Sequence, residues 1–239
     1  MQKRFLDIHS HGGITKTVQS LLQIFLFFDC LKTVATLECE VCSDIGTNCT
    51  GNMKTCEPEQ ESCVVVLIHN TLTGKVLQTV AKGCESSVVC DAPKTHLNMG
   101  NGKILQGSLV CCTGDACKTT IPSLPSVETN ANGKRCPACF SETGTCKEEF
   151  TNCTGDENYC FHLFMRSYGD GVLWDSIMEG CTTKSTCRYI SDGDLFILQR
   201  RNTVIITASC LMAASKRLYS CQFHPLYFAG FLFFLKAFL

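Results

Sequence analysis

Short apolar runs, each cut off by a polar turn, recur through the middle of this chain. Residues 63–68 (CVVVLI) and 75–80 (KVLQTV) flank the polar stretch 70–74, and residues 160–166 (CFHLFMR) and 172–178 (VLWDSIM) flank Tyr168-Gly169-Asp170-Gly171. Strand-forming residues on both sides of turn chemistry predict two β-hairpins. A further hairpin is expected over 90–111, turning near Asn98 to Gly102, with a counterpart over 187–210, turning near Ser191 to Asp194. Gly100-Asn101-Gly102 and Gly169-Asp170-Gly171 read as turn glycines, not ligand cradles. No stretch in between shows the 3.6-residue apolar period of an amphipathic helix, so the expected class is all-β.

The cysteines change that picture most. There are 20 among 239 residues, and seven of them recur with the same spacing 97 positions later. Cys39, Cys42, Cys49, Cys56, Cys63, Cys84 and Cys90 are matched by Cys136, Cys139, Cys146, Cys153, Cys160, Cys181 and Cys187, with steps of 3, 7, 7, 7, 21 and 6 in both sets. The chain therefore carries two copies of one module. Module one is placed at residues 37–118 and module two at 136–210. Between them, residues 119–135 (TTIPSLPSVETNANGKR) read as a linker, with two prolines, Asn132-Gly133 and no apolar period. Modules this small bury too little apolar surface to stand alone and need cross-links, hence an oxidising compartment. Zinc is the rival use of such clusters. Cys39-x-x-Cys42 and Cys136-x-x-Cys139 have knuckle spacing, but neither is followed by the second pair that a zinc ribbon requires. A thioredoxin-like use of Cys136-Pro137-Ala138-Cys139 lacks a surrounding βαβ pattern.

The N-terminus agrees with export. Lys3 and Arg4 precede the apolar run 21–31 (LLQIFLFFDCL), and small residues at 33–36 offer cleavage points, so residues 1–36 read as a signal peptide. The run is too short for a membrane span, and Asp29 and Lys32 count against one.

Module one closes with Cys111-Cys112-Thr113-Gly114-Asp115-Ala116-Cys117. With its ten-cysteine frame, this ending resembles the lymphocyte-antigen-6/urokinase-receptor family of three-finger domains, although Lys118 stands where that family usually has asparagine. Sequence spacing alone leaves the disulfide connectivity open. The resemblance implies Cys39–Cys63, Cys42–Cys49, Cys56–Cys84, Cys90–Cys111 and Cys112–Cys117. For module two it implies Cys136–Cys160, Cys139–Cys146, Cys153–Cys181 and Cys187–Cys210, without the closing pair. A full first module followed by a second lacking that pair is similar to the gamma-type phospholipase A2 inhibitors of snake serum and their mammalian relatives, as are the stretches LECEVC, MKTC and CPACF. The implied fold is two tandem three-finger domains, all-β and disulfide-rich. The implied activity is non-enzymatic inhibition of a secreted phospholipase A2 by protein–protein contact, in a homo-oligomer.

The tail, residues 211–239, fits neither module. It ends in an apolar, aromatic stretch broken by Lys236. One reading is a glycolipid-anchor signal with Ala213-Ala214-Ser215 as attachment point, which would make the chain an anchored cell-surface receptor or adhesion protein. The other is an irregular terminus on a secreted inhibitor. Cys221 has no evident partner within this frame and is a candidate for joining two chains.

No nucleophile–base motif, metal-protease helix or phosphate loop occurs, and no cofactor is expected. The lone histidines His69, His96 and His162 read as polar strand or turn residues. Residues 37–210 carry 14 Lys plus Arg against 20 Asp plus Glu, a net −6 that argues against a nucleic-acid partner and suits a basic protein. Two sets of residues are candidate partner contacts. Tyr168 and Trp174, the single Trp, flank the turn of module two; packing of Trp174 inside its sheet is the competing reading. Glu57, Glu59 and Glu61 form an acidic run in module one, for which a solvated face is the competing reading. Asn48 and Asn152 head sequons whose middle residue is cysteine in both cases.

Overall fold

The computed structural model describes residues 36–215 apart from 148, 170, 194, 196, 197 and 199–201. The expected leader up to residue 35, most of the tail and Cys221 lie outside the described residues.

Module one is three hairpins. The first pairs β1 (Glu38–Ile45) with β2 (Asn52–Thr55), the second β3 (Ser62–Asn70) with β4 (Leu77–Glu85), and the third β5 (Thr95–Asn98) with β6 (Ile104–Cys112). A one-turn helix, Ala116–Thr119, closes the module. In module two, β7 (Ala131–Pro137) pairs with β9 (Phe150–Thr154), with β8 (Cys139–Ser141) between them in sequence. The central hairpin is β10 (Tyr159–Gly169) with β11 (Val172–Thr182). A helix, Lys184–Asp192, leads to β12 (Thr203–Met212) and the two-residue β13 (Ala214–Ser215).

The central hairpins follow the predicted alternation. On β10, Phe161, Leu163, Met165 and Ser167 are buried, the period-two signature of a strand with one face on a core. The strands assemble into a ten-stranded sheet in the order β12-β10-β11-β5-β6-β3-β4-β1-β2, with β8 also on β11, beside a small sheet β13-β7-β9. The two modules therefore share one sheet, joined where β5 of module one pairs with β11 of module two. The largest core cluster spans both modules: Leu72, Leu97, Met99 and Leu105 pack with Phe161, Leu163, Met165, Met178, Ile190, Leu195 and Leu198.

Nine disulfides hold the described residues: Cys39–Cys63, Cys42–Cys49, Cys56–Cys84, Cys90–Cys111 and Cys112–Cys117 in module one, and Cys136–Cys160, Cys139–Cys146, Cys153–Cys181 and Cys187–Cys210 in module two. In each module two cystines lie in contact, with Sγ of Cys56 3.2 Å from that of Cys39 and Sγ of Cys136 3.4 Å from that of Cys153. Their sulfurs cluster closely enough for a metal, but each is spent in a disulfide. Where module one has Cys112 opposite Cys63, module two has Leu211 opposite Cys160. Its end is held by strand pairing instead, Ala214 opposite Arg135.

Two sequence expectations are corrected. The hairpin expected over 187–210 begins as a helix: Lys184–Asp192 takes the place of its first arm and reaches into its turn. Thr183 caps the helix by accepting from the Thr186 N–H, and Gly193 ends it with φ 80° in the left-handed region. Thr186, Cys187 and Ile190 are its buried face. With so few buried positions in nine residues the period is weak, and the signal that could have found the helix is its caps, Thr183 and Gly193. Second, β7 begins inside the segment read as linker. Asn132-Gly133 does not terminate structure there. Gly133, at φ 80°, sits where the β7–β9 register shifts, so the pair forms a bulge within a strand. Asn132 Nδ2 donates to the carbonyls of Gly155 and Glu157, fastening the bulge to the next turn.

A buried ion pair ties β1 to β4. Lys82 Nζ lies 2.9 Å from Glu40 Oε2 and 3.2 Å from the Lys118 carbonyl. The hydrogen bond from Lys82, helped by one from the Gly51 N–H, holds the Glu40 carboxyl below the usual glutamate range. A depressed carboxyl stabilises the fold at pH values above its unfolded pKa of about 4.3, and that contribution fades as pH falls through the folded value. Lys82→Met is therefore expected to lower the melting temperature at pH 7. The gap from wild type should narrow when melting is followed below a pH of about 4.3.

Candidate functional site

The seam between modules is built from backbone pairing and a buried polar network. On β5 and β11, Asn98 stands opposite Cys181 and Leu97 opposite Thr182. The chains approach so closely at Gly180 that a Cβ there would lie 1.9 Å from the Asn98 carbonyl oxygen. Its counterpart in the repeat, Gly83, has nothing within 4 Å of the same position. Beneath the seam Glu157, 3% exposed, receives Nε2 of His96 at 2.7 Å, Nδ2 of Asn98 at 3.0 and 3.1 Å, and the Thr154 N–H at 2.7 Å. Gln106 Nε2 lies 3.1 Å from His96 Nδ1, so both ring nitrogens are partnered. Thr182 donates to the His96 carbonyl at 2.6 Å, and the His96 N–H reaches Thr186 at 3.2 Å. His96 is thus a partnered residue of the seam, and His162 pairs with Glu179 at 2.6 Å. The linear sequence showed neither partner, because the paired residues come from different strands and, for His96, from different modules.

The second feature is the end of the molecule formed by the two central hairpins. Cross-strand partners share a face. Arg166, Asp175 and Val204 therefore lie together on the outer face of module two, with Tyr168 and Leu173 beyond them at the tip. Arg166 donates to Asp175 through Nε at 2.7 Å and Nη2 at 3.0 Å. This fork holds the Asp175 carboxyl below its usual range and raises the guanidinium. Tyr168 is 53%, Val172 59% and Leu173 63% exposed. Trp174 lies on the opposite face. A Cβ on Gly169 would come within 2.9 Å of its indole, so the ring rests on that glycine, yet it stays 42% exposed. Both readings of Trp174 thus describe part of what it does. It borders a cleft of about 240 Å³ between the two modules, with Leu77 of β4 also at the border and Leu72, Leu105, Met165 and Met178 among its lining.

The acidic run is elsewhere. Glu57, Glu59 and Glu61 are exposed just before β3, at the cysteine-rich end, while the tips lie beyond the other end of that strand. Glu61 accepts from Ser87 Oγ at 2.6 Å. The structure does not bring this run together with Tyr168 and Trp174. Asn48 and Asn152 are both exposed.

Comparison with known proteins places this chain. A family model described as phospholipase A2 inhibitor matches residues 37–119, and one described as u-PAR/Ly-6 domain matches residues 132–214. Phospholipase A2 inhibitor NAI of Notechis ater is 31% identical over 173 residues, covering 71% of this chain and 86% of the relative. The chain belongs to the phospholipase A2 inhibitor family. Phospholipase A2 inhibitor PIP of Malayopython reticulatus is 26% identical over 182 residues, covering 74% of this chain and 86% of its own. The crystal structure of mouse TEX101 aligns with a TM-score of 0.34 at 19% identity, covering 74% of this chain and 99% of that one. In this phospholipase A2 inhibitor family member, the inhibitor model covers module one and the u-PAR/Ly-6 domain model covers module two. The stretch that the two family models leave between them, residues 120–131, is part of the residues 119–135 read as linker.

Proposed function

We propose that this chain is a secreted, non-catalytic protein that inhibits a secreted phospholipase A2 by direct contact. The observation carrying the reading is the match to proteins named phospholipase A2 inhibitors over 86% of their length, spanning both modules. The shared sheet supports it, because a rigid two-module body presents one preformed surface and loses little freedom on binding. A leader removed at residues 33–36 and a homo-oligomer belong to the same proposal. The test is hydrolysis of micellar phospholipid by a panel of basic secreted phospholipases A2 with the purified mature chain added. Inhibition at stoichiometric amounts is expected for at least one enzyme, and no inhibition of any at micromolar excess would sink the reading.

The anchored-receptor reading would need processing at Ala213-Ala214-Ser215. Ala213 is 6% exposed and Ala214 and Ser215 are paired with β7, an arrangement that favours the secreted form. Phosphatidylinositol-specific phospholipase treatment of expressing cells separates the two, since only an anchored protein would be released by it.

A further inference from the structure

We infer that the two central fingertips, with the cleft between them, are the docking face for the phospholipase, and that they engage the side of the enzyme that meets lipid. The inference rests on the inhibitor reading above and adds the surface and its chemistry. Tyr168, Val172 and Leu173 form one exposed apolar tip, and Val76 and Leu77, 70% and 39% exposed, lie at the end of the module-one hairpin. Trp174 and Leu77 line the same cleft, so the cleft joins the ends of the two hairpins, with Leu72, Leu105, Met165 and Met178 also in its wall. Apolar surface gathered in this way on a soluble protein marks an interaction site.

The charges say what kind of partner fits. Glu142, Arg166, Leu173, Trp174 and Asp175 line a notch beside the module-two tip. Arg166 is committed to Asp175 through two hydrogen bonds. Glu142 has no ion pair among the described residues, so the notch is left with net negative charge. A lysine or arginine entering there would meet a carboxylate not committed to another charge. The net −6 of residues 37–210 draws a basic protein toward it from a distance. An enzyme that works on aggregated phospholipid must itself present apolar side chains to the acyl region and basic ones to anionic headgroups. The fingertips are the complement of that surface in both respects. Such an inhibitor competes with lipid and leaves the catalytic groups untouched.

The experiment uses the full mature chain, its Leu173→Asp and Glu142→Lys variants, and Val88→Asp as a control at the cysteine-rich end, where Val88 is 79% exposed. Binding to a basic secreted phospholipase A2 is measured by calorimetry, with intact mass confirming the disulfides of every variant. Leu173→Asp and Glu142→Lys are each expected to weaken binding by about tenfold or more, and Val88→Asp to leave it unchanged. Hydrolysis of micellar substrate should be blocked while that of a dispersed short-chain phospholipid continues. If the wild type binds and both tip variants bind equally well, the docking face is wrong and the inhibitor reading stands. If the wild type binds no enzyme of the panel, the inhibitor reading itself fails. Binding of the wild type, but not Leu173→Asp, to phosphatidylcholine–phosphatidylserine vesicles without enzyme would reassign the tips to lipid and overturn the inference.

Discussion

Gly180→Ala is expected to destabilise the protein by about 3 kcal/mol or more, whereas Gly83→Ala changes stability by no more than about 0.5 kcal/mol. The two glycines hold the same position in the repeat and precede equivalent cysteines. Only Gly180 faces another strand closely, with the Asn98 carbonyl 1.9 Å from where the new methyl would sit. Relief requires β5 and β11 to part, which breaks the pairing of Asn98 with Cys181 and Leu97 with Thr182. Chemical denaturation of the two variants side by side measures the difference. Hydrogen exchange locates it, since amides of Leu97 and Thr182 should lose protection in Gly180→Ala while those of the β3–β4 hairpin keep theirs. Equal effects at both glycines would mean that the modules do not share a sheet in solution.

Glu157→Ala should be costly for a different reason. The carboxylate accepts from His96, Asn98 and the Thr154 backbone, and both Glu157 and His96 are buried. Its removal strands three donors, and each buried donor without a partner costs about 1–3 kcal/mol, so a loss of about 3 kcal/mol or more follows. Glu157→Gln keeps the volume but turns an NH₂ toward donors, and an intermediate loss is expected. Denaturant midpoints of the two variants order these effects. A Glu157→Ala protein as stable as wild type would show that water or a rearranged side chain takes the carboxylate's place.

The parts of this fold that were legible in the sequence are those set by local pattern. Residues 160–166 and 172–178 alternate around a glycine turn, and β10 and β11 form over them. The repeated cysteine spacing and the ending after Cys111 carried the family, and the family models agree. What stayed hidden was non-local or short. The helix Lys184–Asp192 buries only Thr186, Cys187 and Ile190, too few to register as a period. His96 and Glu157 are 61 residues apart, and nothing in either neighbourhood marks the pairing. Gly180 looks like Gly83 until the modules are joined. Of the candidate contacts, Tyr168 and Trp174 were legible because aromatic residues beside a turn are conspicuous. Val172 and Leu173 were not, because they read as ordinary strand residues and only the hairpin's projection leaves them uncovered.

The seam also gives the duplication a direction. Module one lends the outer edge of β5 to β11 of module two, so the two copies contribute different parts to the joint. The Gly180 side of β11 takes the incoming backbone, while the matching glycine of module one, Gly83, meets nothing within 4 Å. Two modules with one cysteine pattern are thus unequal partners, and their order along the chain is built into the contact.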